Sequence, residues 1–139
     1  MNNTQYKAKA SAKVRTRYHI VLVTKYRKQA LAGIEQAVIT SINQVEQQSA
    51  FTIHQINTGD GNHVHMLISI PPNKTISETV SRIKQLTTHA LWQQYADHLQ
   101  HYYWGKHHKL WSGGYYCETV GNSSEKTVKQ YITHQKQAS

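Results

Sequence analysis

The chain has 139 residues with 16 Lys and Arg against 7 Asp and Glu, a length that supports one hydrophobic core and one basic domain. Its single cysteine, Cys117, excludes an intramolecular disulfide and a multi-cysteine zinc site, and the apolar run from Ile20 to Val23 is far too short for a membrane span or a signal-peptide core. A soluble, cytoplasmic protein with no membrane attachment is therefore expected, and any metal has to be held by His, Asn, Gln or carboxylates.

Residues 1–16 lack periodic apolar positions and read as a basic, flexible N-terminal arm ahead of one domain over residues 17–139. Eight of the cations precede residue 29 with no acid among them, which points to a polyphosphate partner through counterion release, nucleic acid first and an acidic membrane surface second. Arg17 to Thr24 is β-rich, with Tyr18, Ile20 and Leu22 on one side and His19, Val21 and Val23 on the other, the pattern of a strand buried on both faces. From Gln29 to about Gln48, the residues Leu31, Ile34, Val38, Ile42 and Val45 recur at intervals of three and four and predict a helix with one apolar stripe.

Phe51 to Asn57 and His63 to Ile70 predict two antiparallel strands joined by Thr58-Gly59-Asp60-Gly61-Asn62, a loop whose glycines and Asx residues suit a hairpin turn. After Pro71-Pro72, Thr75 and Glu78 form a capping-box pattern for a helix that buries Ile76, Val80, Ile83, Leu86, Ala90 and Leu91 and runs to about Tyr95. Asp97 to Gly114 shows neither period and is expected to be a long loop, Tyr115 to Val120 a fourth strand, and Asn122 with Glu125 the start of a last helix ending near Gln137. The order βαββαβα predicts an α+β fold, a ferredoxin-like antiparallel sheet with helices mainly on one face.

His63-Val64-His65 opens a strand, and a period of two puts both imidazoles on one face while Val64, Met66 and Ile68 take the other. Two imidazoles are two thirds of a metal site, although His-x-His alone is a weak signal and is more often a pair of exposed or hydrogen-bonded histidines without a metal. In the last predicted helix the four-residue spacing sets Tyr131 and Gln135 one turn apart on a single face. A lone tyrosine there is ordinarily a packing residue; beside a histidine pair, a phenol gains the cation it needs to attack a phosphodiester.

Taken together these residues resemble the single-tyrosine HUH transposases of the insertion-sequence 200/605 group. The likeness runs through Tyr18-His19-Ile20-Val21-Leu22-Val23-Thr24-Lys25-Tyr26-Arg27, the hairpin with His63-Val64-His65, the Lys84 helix, Leu110-Trp111-Ser112, and Lys129-Gln130-Tyr131-Ile132-Thr133-His134-Gln135. The resemblance implies that His63, His65 and Gln135 bind a divalent ion, Mg²⁺ or Mn²⁺, and that Tyr131 is the nucleophile forming a transient link to a DNA 5′ phosphate. It also implies single-stranded DNA with hairpin ends as substrate and a homodimer whose active sites are shared between subunits. The chain departs from the group's pattern at Gln85 and at Gly113-Gly114.

Arg15, Arg17, Lys25, Arg27, Lys28, Arg82 and Lys84 are the candidates for contact with DNA phosphates, with a solvated charged face as the alternative for each. The aromatics Tyr102, Tyr103, Trp104 and Trp111 suit either base stacking or the core. Two other functions stay open at this point: a non-catalytic module gripping hairpin nucleic acid, and a domesticated or otherwise related HUH nuclease acting on chromosomal repeats.

Overall fold

A computed structural model describes residues 16–121. Residues 1–15 of the expected arm and the expected last helix, with Tyr131 and Gln135, lie outside the described residues, while Thr16, expected to end the arm, opens the first strand.

Strand β1 (Thr16–Val23) is followed by a single 3-10 turn at Lys25–Arg27, helix α1 (Glu35–Gln47), strands β2 (Thr52–Thr58) and β3 (His63–Ile70), helix α2 (Ile76–Gln100) and strand β4 (Tyr116–Val120). The four strands form one sheet in the order β2-β3-β1-β4, every neighbouring pair antiparallel. This is the expected α+β, ferredoxin-like arrangement, with β1 and β3 at the centre. No helix among the described residues is long and apolar enough to cross a membrane.

Alternation along the central strands decides what each face of the sheet meets. Ile20, Leu22, Val64, Met66 and Ile68 are fully buried and join Val38, Ile42, Val45, Val80, Ile83, Leu91 and Leu99 of the two helices in one core. Each such side chain contributes about 1.5–3 kcal/mol of burial. The opposite face carries His19, Val21 and Val23 on β1 and His63, His65, Leu67 and Ser69 on β3, with a second small cluster of Val21, Val23, Tyr116 and Val120.

Two helix boundaries differ from expectation. Helix α1 starts at Glu35 rather than Gln29, because the Leu31 N–H is engaged by the carbonyl of Gly61 at 2.9 Å and Gly33 adopts a left-handed φ of 89° that no helix continues through. Leu31 is still fully buried, so the apolar stripe was real and only its backbone differs. Helix α2 opens on the expected capping box, Thr75 accepting from the Glu78 N–H and Glu78 from the Thr75 N–H. It does not stop at Tyr95: the backbone breaks there (φ −128°, ψ 36°), and a further turn to Gln100 follows, seated by the buried Leu99 and by the His98 ring on the carbonyl of Ala30 at 2.9 Å.

Candidate functional site

The sheet brings His63 and His65 together as the strand period requires. Their rings are stacked with centroids 4.6 Å apart and planes inclined by 25°, His63 buried and His65 half-buried. In the sheet register His63 lies opposite Val23, and His65 sits between Asn57 and Val21. Nδ1 of His63 meets Oδ1 of Asn62 at 2.6 Å. An amide oxygen only accepts, so Nδ1 carries the proton and the coordinating lone pair belongs to Nε2, the second-sphere arrangement that orients metal-binding imidazoles.

The hairpin loop shapes this ring's position. A Cβ added at Gly59 would fall 2.0 Å from Nε2 of His63, so the ring lies against bare backbone where any side chain would displace it. Gly61, at φ 88°, packs beneath Gln29 and Ala32. The loop is fastened to the end of β1 by the buried Thr24, whose N–H donates to the Asn62 carbonyl at 2.9 Å and whose hydroxyl donates to the Lys28 carbonyl at 2.6 Å, with Asn62 O at 3.2 Å. Asn62, Gly59 and Thr24 escaped the sequence reading, which took the loop only for a turn; an Asx residue directly before His-x-His was the available signal.

Among the described residues the histidine pair could supply two ligands of a divalent ion. No cluster of three His, Cys, Asp or Glu side chains able to hold a metal occurs among the described residues. A third donor therefore has to be of another type or come from outside residues 16–121.

The expected DNA-contacting cations do not form one group. Arg17 is exposed and shares the histidine face, but it pairs with Ser69 at the far end of β1, about 13 Å along the strand from the His65 row. Lys25, Arg27 and Lys28 follow β1 directly, at the His63 end. Lys25 and Lys84 line a common groove of about 410 Å³ with His108, Lys109 and Trp111. Within it Lys84 donates to the carbonyls of Ser112 at 2.9 Å and Gly114 at 2.7 Å, and burial holds its pKa below the ordinary lysine value. Arg82 faces a different groove, donating to Ser49 Oγ at 2.7 Å and the Gln48 carbonyl at 3.0 Å.

The long segment after α2 resolves the aromatics individually. Trp111 is buried and donates to Thr87 Oγ1 at 3.0 Å, and Tyr103 is buried with its hydroxyl on the Lys25 carbonyl at 2.8 Å. Trp92 is also buried; it donates to the Lys109 carbonyl at 2.9 Å and stacks on His108. Trp104 remains 71% exposed.

The described residues thus define a small α+β domain: a four-stranded antiparallel sheet with a histidine pair on the face opposite its helices and Lys25, Arg27 and Lys28 following the strand end beside His63. The sequence profile of the IS200-like transposases matches residues 12–135, and the chain belongs to that family. It is 32% identical over 131 residues to the transposase for insertion sequence element IS200 of Salmonella typhimurium, an alignment covering 93% of this chain and 82% of that protein. With the ISDra2 transposase TnpA of Deinococcus radiodurans it shares 25% identity over 119 residues, 85% of this chain and 82% of the relative. Two solved structures share the fold. One, assigned to a transposase from Deinococcus radiodurans, superposes with a TM-score of 0.70 at 24% identity, covering 87% of this chain and 91% of that one. The other, a REP-associated tyrosine transposase bound to a REP hairpin, gives 0.56 at 18% identity over 86% of this chain and 61% of the other.

Proposed function

We propose that this transposase cuts and rejoins single-stranded DNA at insertion-sequence ends through a 5′-phosphotyrosine intermediate. The observation that carries the reading is the histidine pair: two stacked imidazoles on one face of the sheet, one held by Asn62 in the tautomer whose unprotonated nitrogen is Nε2. In this reading His63, His65 and Gln135 hold Mg²⁺ or Mn²⁺. When bound, the ion neutralises charge on the scissile phosphate and favours ionisation of the phenol.

Tyr131 Oη attacks the phosphorus, its proton passing to solvent. The bond from phosphorus to the 3′ oxygen breaks, and that oxygen leaves protonated as a free 3′ hydroxyl. Because the phosphate ester is retained on Tyr131, a 3′ hydroxyl on another strand reverses the step without a nucleotide cofactor. Hairpin DNA as the recognised end is supported by the fold shared with the hairpin-bound relative. Arg15, Arg17, Lys25 and Arg27 are assigned to its phosphates, and so is Lys28, which makes one bond to the Tyr102 carbonyl, whereas Arg82 and Lys84, each with two bonds to neighbouring loops, serve first to hold those loops. The assembly proposed is a homodimer with sites shared between subunits.

The test is covalent capture. Incubation with a hairpin-ended single strand and Mg²⁺ should give a protein–DNA adduct that Tyr131→Phe abolishes without abolishing binding, and EDTA should stop its formation. An undiminished adduct in either arm overturns the assignment. Mixing Tyr131→Phe chains with His63→Ala/His65→Ala chains restores cleavage in mixed dimers only if the sites are shared.

A further inference from the structure

The turn after β1 and the loop after α2 together expose two large aromatic rings, Tyr26 at 64% and Trp104 at 71%. Three lysines lie near the Tyr26 ring and one near that of Trp104. Nζ of Lys28 lies 4.4 Å from the centroid of Trp104 and 6.0 Å from that of Tyr26, and Lys25 and Lys109 each place Nζ 5.6 Å from Tyr26. Lys28 is fixed there by donation to the Tyr102 carbonyl at 2.8 Å.

The backbone under Tyr26 is strained for this placement. Tyr26 and Arg27 are successive non-glycine residues at φ 59° and 54°, in the left-handed region that L side chains disfavour. The surroundings over-determine the turn: the Thr24 hydroxyl holds the Lys28 carbonyl, Arg27 N–H donates to Thr24 O at 3.0 Å, Lys25 N–H to Leu110 O at 2.8 Å, and the Tyr103 hydroxyl to Lys25 O. Backbone strain of this kind, held in place by its surroundings, clusters at functional sites.

A ligand suited to this surface carries both a flat aromatic face and negative charge, which is the description of a nucleotide. In a duplex the base faces are occupied by one another, so only unpaired bases can lie on Tyr26 or Trp104. We propose that Tyr26 and Trp104 form a stacking platform for unpaired bases of a single-stranded nucleic acid, whose phosphates pair with Lys25, Lys28 and Lys109. The inference rests on the reading that single-stranded DNA is the substrate, and it assigns binding, not chemistry, to these residues.

The experiment measures binding by the full-length protein in EDTA, so that no cleavage intervenes, using a short single-stranded oligodeoxynucleotide of mixed sequence and an abasic strand of equal length and charge. Wild type should prefer the strand with bases by roughly tenfold or more, tenfold being the scale of one stacked base. Binding of that strand should quench the tryptophan emission that iodide also reaches, since Trp104 is exposed while Trp92 and Trp111 are buried. Trp104→Ala and Tyr26→Ala should each erase most of the preference, and Trp104→Phe should retain it. Equal wild-type affinity for the two strands, a comparison that needs no variant to fold, overturns the platform; so does an unchanged preference in both alanine variants. Because the assay contains no scissile step, a failed platform leaves covalent capture on Tyr131 standing, and a failed capture leaves the base preference to be read on its own.

Discussion

The two faces of the sheet are made by the same central strands and have opposite chemistry. On one, Ile20, Leu22, Val64, Met66 and Ile68 meet two helices in an apolar core; on the other, one residue out of phase, stand Arg17, His19, His63, His65 and Ser69. Strand alternation thus gives one short stretch of chain both a structural and a chemical duty: core-parity substitutions act on stability, and histidine-parity ones act on chemistry except at Val21, Val23 and Leu67, which keep a small apolar cluster or buried position of their own.

The largest effect expected from testing that separation is on the core side. Ile68→Ala, at a fully buried position, should cost about 2–5 kcal/mol in urea unfolding, while the adduct formed per folded molecule stays near wild type at low temperature. A parallel collapse in specific activity would show that the faces are coupled. Next comes Gly59→Ala on the chemical side. Gly59 does not occupy the left-handed region, so the backbone accepts alanine, but the new Cβ displaces the His63 ring. Cleavage should fall by roughly a hundredfold, as for other small misplacements of a catalytic group, with the unfolding midpoint hardly moved; unimpaired cleavage would mean that His63 does not need its present position. The smallest effect concerns the helix layer. The carboxylate of Glu35 has its pKa lowered by its own backbone N–H and that of Gly33. A lowered folded pKa contributes stability that is present above the unfolded value and lost as pH falls through the folded one. Glu35→Gln should therefore lower the melting temperature slightly at neutral pH and match wild type in strong acid; a constant difference down to pH about 3 would reject the linkage, given the ordinary glutamate range.

Periodic features were legible in the sequence because they depend on neighbours along the chain. The alternation of β1 and β3, the stripe of α1 and the Thr75/Glu78 box all follow from local spacing, and so did the pairing of His63 with His65. What depends on distant partners was not legible. The start of α1 is set by Gly61, thirty residues beyond Leu31, and the commitment of Lys84 is set by Ser112 and Gly114 on a segment without any period. The tautomer of His63 comes from the side chain of its own neighbour Asn62, which composition alone assigns to a turn. Tyr131 and Gln135 belong to neither group: their roles come from family resemblance and await the capture experiment.

Thr24 follows Val23, the register partner of His63, and its backbone and hydroxyl join Asn62 on one side to Lys28 on the other. The histidine strand and the turn carrying Tyr26 are thereby tied together, and the Tyr103 hydroxyl on the Lys25 carbonyl and Lys28 Nζ on the Tyr102 carbonyl tie the segment before Trp104 to the same turn. On the proposed reading, a strand lying across both meets them at a spacing that the hydrogen bonds of this turn set, so the fold would act as a gauge between the held base and the histidine pair.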